Sequence, residues 1–270
     1  MRPTVFRALR DLAYAQAGIR LGDEKEALVS ARVGKRLRAL RLGDEEDYLD
    51  FLKRDASGGE LVEFLDVIST NYTSFFREPA HFERLKAAMA LWRASGQRRF
   101  RVWCAAASSG EEPYTIALVL NEVLGPELDW RILATDISTR VLGLARAGRY
   151  GTGQLKMVPP RALERAFTRA GDGRDGSFYE VSPELKSKVA FARLNLARPP
   201  FPMKGPFDVV FCRNVMIYFD NPVRQQLVKE MERLVRPGGL VLIGHAESLS
   251  TVQTGLTTLA PSVYQRPGGP

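Results

Sequence analysis

Along the first 85 residues, apolar side chains recur at helical spacing. Val29, Val33, Leu37 and Leu40 follow one another at intervals of four, four and three, which is one stripe of a helix. The stretch "GDEEDYLDFLKRD" predicts a helix with an acidic first turn and with Leu49 and Leu52 facing inward, and "SGGELVEFLDVIST" a further helix begun at glycine. From about residue 98 the pattern changes. "FRVWCAAASSGEEPYTIALVLNEVLG" reads as a short apolar strand, a loop of small residues and an amphipathic helix closed by Gly125. "WRILATDIS" is a second strand, "STRVLGLARAG" a second helix, and "FDVVFCRNVMIYF" a further buried strand. The helix "PVRQQLVKEMERLV" and a last strand in "LVLIGH" complete the series. Strands alternating with helices predict an α/β domain, a parallel sheet covered on both faces. Residues 168 to 190 interrupt the alternation: three glycines are followed by "SFYEV", which alternates like a strand. A small antiparallel insertion and an irregular loop both fit that stretch.

Composition narrows the class. In 270 residues, 45% of them hydrophobic, there is material for one substantial core and a second small one. No apolar stretch approaches the roughly 20 residues that cross a bilayer, and the amphipathic "MRPTVFRALRDLAY" with Asp11 does not read as a signal peptide. Two cysteines, Cys104 and Cys212, are too few and too far apart for a disulfide framework or a zinc site, and two histidines, His81 and His245, argue against a His-rich metal centre. A reducing cytoplasm is the expected location, and a monomer the default state. The net charge of +8 and a pI near 9.6 suit an acidic partner. Arg32, Lys35, Arg36 and Arg38 form a basic run free of acids; a solvated face and a docking surface for an acidic helix are both compatible with it.

Candidate chemistry gathers at the predicted carboxyl ends of strands, where ligands bind in doubly wound sheets. After the first strand, "CAAASSGEE" combines small side chains with a helix N-terminus, so backbone can approach a ligand closely. It is not GxGxxG. Glu111 and Glu112 favour that helix end by charge, and a carboxylate there could equally bind a ligand ammonium. Asp136 closes the second strand, where an acid commonly accepts hydrogen bonds from ribose hydroxyls; an N-cap role competes. Arg213 and Asn214 follow an apolar run and need partners, with Tyr218 close behind. Asn195 ends another predicted strand, and Leu196 could flank a base.

The segments "TNYTSFFREPAHF", "AAASSGEEPYTIAL", "ATDIS", "VLGLARAGRY", "FDVVFCRNVMIYFD" and "LVLIGHAESL" resemble, in order from about residue 1 to 266, the signatures of CheR-type chemotaxis receptor methyltransferases. The resemblance implies a small all-helical N-terminal domain over 1–70 and an inter-domain segment and helix over 71–97. It also implies a Rossmann-like class I methyltransferase domain over 98–270, with a small antiparallel β insertion at about 168–190. It implies S-adenosylmethionine as methyl donor, S-adenosylhomocysteine as product and no metal. The acceptors would be glutamate side chains on the cytoplasmic helices of methyl-accepting chemoreceptors, serving chemosensory adaptation in bacteria. Carried over by motif position, Asn71, Thr73, Arg77, Asp136, Asn195, Leu196, Arg213 and Asn214 are similar to family cofactor contacts, together with Glu111 or Glu112. Some members also tether to a receptor C-terminal peptide through the insertion, where this chain spells "AGDGRDG".

A glutamate acceptor, with a pKa of about 4.3 in model peptides, is already ionised at neutral pH and needs no general base. Catalysis would then rest on alignment of carboxylate oxygen, methyl carbon and sulfur, with Arg77 and Tyr218 placing the carboxylate. In this reading Phe75 and Phe76 anchor the segment, Pro79 starts the next helix, and Arg77 is held over the cofactor with its bidentate fork. Competing readings are a methyltransferase acting on nucleic acid, a non-catalytic cofactor-binding scaffold, and a nicotinamide dehydrogenase. The first lacks aromatic–basic interleaving, and the last lacks the glycine fingerprint.

Overall fold

In the computed structural model, which describes residues 1–69, 71–171 and 178–268, four helices form the N-terminal bundle. They are α1 (Pro3–Ala17), α2 (Glu26–Leu40), α3 (Glu45–Arg54) and α4 (Gly59–Ile68). The stripe on α2 behaves as its spacing demands: Val29 and Val33 are buried, while Leu37 and Leu40 pack at the edge of a core with Phe6, Leu9, Tyr48, Leu52 and Phe64. The acidic start of α3 is capped by Asp44, whose side chain accepts from the Glu46 and Asp47 N–H groups. α1 ends at Gly18, in the left-handed region at φ 67, and a Cβ there would stand 2.6 Å from the Cβ of Ala197 in the following domain. Close approach and backbone hand both require glycine at this junction.

The basic run on α2 divides in two. The Arg32 guanidinium donates to the carbonyls of Ile68 (2.6 Å) and Ser69 (3.0 Å), closing the C-terminus of α4. Arg36 forks onto Glu60 (2.9 and 2.6 Å) and reaches Glu63 at 2.9 Å, and Tyr48 donates to the same Glu60. Those two arginines are internal braces of the bundle, because unpaired carbonyls and a buried glutamate lie within their reach. Lys35 and Arg38 remain exposed.

The second region begins with α5 (Ala80–Ala94), followed by β1 (Arg99–Cys104), α6 (Glu111–Leu124), β2 (Asp129–Asp136), α7 (Thr139–Ala147) and β3 (Arg149–Gly151). α8 (Pro160–Ala166), β4 (Phe167–Ala170), β5 (Phe178–Val181), α9 (Pro183–Ser187) and β6 (Val189–Arg193) come next. β7 (Phe207–Cys212), α10 (Asn221–Leu234), β8 (Val235–Ile243), β9 (Thr257–Ala260) and β10 (Val263–Gln265) complete the chain. The large sheet has the order β6-β2-β1-β7-β8-β10-β9. Its first five strands are parallel, while β10 runs antiparallel to both β8 and β9. The direction of strand addition reverses between β1 and β7, which opens a crevice at their carboxyl ends.

Alternation along the central strands separates two apolar layers. Phe100, Val102 and Cys104 of β1 face the layer built with α5 and α6, whereas Trp103 faces the layer built with α10. Phe211 lies in the first layer and Cys212 in the second. The two cysteines sit on adjacent strands but project to opposite sides of the sheet, so no bridge between them is available to the fold.

The antiparallel insertion is a three-stranded sheet of order β3-β5-β4. It starts at Arg149, well before 168, and ends at Val181, because Val189–Arg193 returns to pair in parallel with β2. Of the glycine-rich "AGDGRDG", the stretch 172–176 lies outside the described residues.

Candidate functional site

A cavity of about 260 Å³ opens over the carboxyl ends of β1, β2 and β7, between the sheet and the helical bundle. Its floor is the loop after β1. Ser108 (φ 48) and Gly110 (φ 101) both take left-handed backbone there, and a Cβ on Gly110 would stand 2.6 Å from the Tyr150 hydroxyl, which donates to the Ser109 carbonyl. Only glycine fits position 110.

At one end of the cavity stands Asp136. Its Oδ2 accepts from the Ser108 N–H at 2.8 Å and its Oδ1 from the Ser138 N–H at 2.9 Å. The N-cap of α7 is Ser138 rather than Asp136, because the serine side chain accepts from the Val141 N–H. Burial pushes the Asp136 carboxyl up while the two N–H groups pull it down. Each oxygen keeps a lone pair for a ligand.

Two strands away, three charges interlock. Arg213 is 3% exposed. It donates to Glu112 Oε2 at 2.8 Å, to Glu78 Oε2 at 2.9 Å and to the Arg77 carbonyl, with its carbon over the Phe82 ring at 5.4 Å. Glu78 also accepts from the Asn214 side chain at 3.2 Å. Burial opposes ionisation of Glu78, but the hydrogen bond and charge of Arg213 hold its carboxyl below the usual range. Burial pushes Glu112 up against the pull of Arg213. Cys104 donates to Glu112 at 3.2 Å, and burial drives its thiol well up, so it is no nucleophile.

The segment 71–79 is fixed from below. Phe75 is fully buried edge-on to Tyr150 (4.9 Å) and Phe167 (5.9 Å), and Phe76 packs on Phe82 (5.7 Å). Phe76 and Glu78 both hold positive φ, at 53° and 57°. Such backbone on non-glycine residues costs about 1–3 kcal/mol each and persists only where surroundings dictate it. Between them Arg77 is carried to the cavity. Its guanidinium donates to the Tyr72 carbonyl at 3.0 Å and lies 5.5 Å from the exposed Tyr72 ring, which leaves most of its five donors free.

Asn71, Thr73, Arg77, Glu112, Asp136, Asn195, Leu196, Arg213, Asn214 and Tyr218 all line this cavity. Glu111 does not. Its oxygens are taken by Ser109 (2.7 Å) and Gln154 (3.1 Å), on the side facing the insertion. Asn195 lines the cavity, yet its side chain donates to the Gln16 carbonyl at 2.6 Å and accepts from the Ala197 N–H. The Tyr218 hydroxyl has no hydrogen-bond partner among the described residues. The sequence reading missed a whole wall: Ala17, Ile19, Arg20, Lys25 and Leu28, from the end of α1 to the start of α2. Arg20 donates its N–H to the Tyr218 carbonyl at 2.9 Å, and Tyr14 donates to Asp220. The one available signal was Gly18, a helix-ending glycine followed by "IRLGDEK".

Also missed was the meeting of the two histidines. His81, 1% exposed, lies edge-on to His245 at 4.8 Å, and its Nδ1 is 3.4 Å from Glu78 Oε2. Burial and the charge of Arg213 push His81 down to about 4.

Comparison with known proteins gives a consistent result. Residues 71–264 match the model of the CheR methyltransferase SAM binding domain, and residues 4–69 that of the CheR methyltransferase all-alpha domain. The chain is 42% identical over 260 residues to a chemotaxis protein methyltransferase of Escherichia coli strain K12, covering 96% of this chain and 89% of that protein. It is 40% identical to chemotaxis protein methyltransferase 2 of Pseudomonas aeruginosa, over 96% of this chain and 91% of that one. A chemotaxis protein methyltransferase of Borreliella burgdorferi is 35% identical, over 94% and 91%.

Proposed function

This chain belongs to the CheR methyltransferase family, and from that membership we propose that it moves the methyl group of S-adenosylmethionine onto glutamate side chains of chemoreceptor cytoplasmic helices. The observation that carries the reading is the pairing, in one cavity, of Asp136 with Glu112 and the Arg213 that braces it, two strands away. Strands lie about 4.8 Å apart, so β2 and β7 present these groups roughly 10 Å from one another. That span suits a nucleoside bearing an amino-acid arm.

In this assignment Asp136 accepts from the ribose hydroxyls, and Leu196 and Ile137 flank the base. Glu112 takes the donor ammonium, and its partner Arg213 pulls against the upward push of burial on its carboxyl. Arg213, its side chain enclosed, positions Glu112, Glu78 and the Arg77 carbonyl at the cavity wall. Asn214, at φ 58, turns the chain toward Glu78 and the cavity. Arg77, anchored through one nitrogen only, retains donors for the donor carboxylate and for the incoming glutamate. The Tyr218 hydroxyl supplies a second hydrogen bond to that glutamate.

S-adenosylmethionine, when bound, supplies the electrophilic methyl. The chain's work is to hold an already ionised carboxylate in line and to exclude water. Too tight a grip by Arg77 would blunt the nucleophile, and its exposure to solvent on the Tyr72 side keeps the pair weak. On the receptor side, Lys35 and Arg38 offer positive charge to acidic helices, whereas Arg32 and Arg36 are spent inside the bundle.

The test is incubation with methyl-labelled S-adenosylmethionine and receptor cytoplasmic fragments, followed by base. Carboxyl methyl esters release labelled methanol. Label that resists base, or that appears in nucleic acid instead, would refute the proposal.

A further inference from the structure

Glu78, His81 and His245 bring three ligand atoms within 4.8 Å of one another. Ser262 Oγ lies 2.8 Å from His81 Nε2 and 2.6 Å from the Pro261 carbonyl, so the far side of the ring is held from behind. His81 Nδ1 is enclosed and has no hydrogen-bond partner among the described residues. It faces Glu78 Oε2 at 3.4 Å. A buried ring nitrogen left without a partner beside a carboxylate is a place where a ligand is expected. The exposed ring of His245 completes the third side, edge-on at 4.8 Å.

We infer that Glu78, His81 and His245 form a binding site for a divalent transition-metal ion of the borderline class, with Zn²⁺ as the representative. Two imidazoles and one carboxylate suit such an ion, whereas Mg²⁺ and Ca²⁺ demand more oxygen ligands. Three protein ligands on a partly open face leave room for water. The Ser262 hydroxyl behind His81 is the outer partner that metal-bound histidines characteristically have. Among the described residues Glu78 Oε1 accepts only from the Asn214 amide, so it has a lone pair to give while Oε2 keeps Arg213 and the His245 N–H. Glu78 is bonded to Arg213 and Asn214, which line the cavity, and this ties the site's occupancy to their positions. None of this rests on the methyl-transfer reading.

The experiment uses the full, untagged chain, stripped with chelator and titrated with Zn²⁺ by calorimetry. Binding of one ion per chain is expected, with no competition from excess Mg²⁺. Because the His245 ring is exposed, His245→Ala leaves the fold intact by circular dichroism and weakens binding by more than about tenfold, the scale on which even an outer partner counts. Co²⁺ should give visible ligand-field bands without thiolate charge transfer. An isotherm unchanged by His245→Ala, a thiolate band, or no saturable binding by the wild type would overturn the assignment.

Discussion

Replacing Asp136 by asparagine alters one atom and tests the geometry of the cavity directly. Both carboxylate oxygens already accept backbone N–H groups, from Ser108 at 2.8 Å and Ser138 at 2.9 Å. An amide has one oxygen, so in either orientation its NH₂ meets one of those N–H groups donor to donor. Leaving a buried N–H unpaired costs about 1–3 kcal/mol of stability. Toward the ligand, a hydrogen bond to a charged acceptor contributes about 1.5–3 kcal/mol, and its loss converts at 1.4 kcal/mol per factor of ten to roughly 10- to 150-fold in affinity. Calorimetric titration of wild type and Asp136→Asn with S-adenosylhomocysteine measures the second effect, and thermal unfolding without ligand the first. The expected result is a lower melting temperature together with at least tenfold weaker binding. A lowered melting temperature with affinity within about twofold of wild type would leave Asp136 as a loop brace and refute its role as a ligand acceptor.

The remaining expectations are more compact. Glu112→Gln weakens S-adenosylhomocysteine binding, while Glu111→Gln, whose side chain is occupied by Ser109 and Gln154, leaves it unchanged in the same titration. Arg77→Ala lowers turnover in the labelled-methyl assay severely without moving the unfolding transition, because among the described residues its guanidinium hydrogen-bonds only the neighbouring Tyr72 carbonyl. Arg36→Ala strips Glu60 of its fork and costs about 3 kcal/mol in urea unfolding, whereas charge reversal at exposed Lys35 and Arg38 leaves stability unchanged and lowers receptor methylation in a salt-dependent way.

Periodicity predicted the α2 stripe, the parallel strands and the Gly125 helix end, because each is governed by local spacing or backbone hand. The fates of Arg32 and Arg36 were hidden, since both depend on what α4 presents across the bundle. The resemblance left Glu111 and Glu112 open; their roles diverge only because adjacent helical positions point about 100° apart. Asn195 was read as a ligand contact from its place at a strand end, but its side chain is engaged by a carbonyl 179 positions away. The pairing of His81 with His245 was equally invisible, because two lone histidines 164 positions apart carry no spacing signal. Cys104 and Cys212 show the converse: they end neighbouring strands, and pleating then sends them to opposite faces.

The hold of Asn195 on the Gln16 carbonyl, with Gly18 pressed against Ala197, has a practical corollary. A fragment beginning at residue 71 would keep every strand yet leave one side of the donor's berth facing bulk water. Swapping in a foreign bundle would succeed only if its first helix stopped at the same turn, with a glycine there and a carbonyl aimed at position 195.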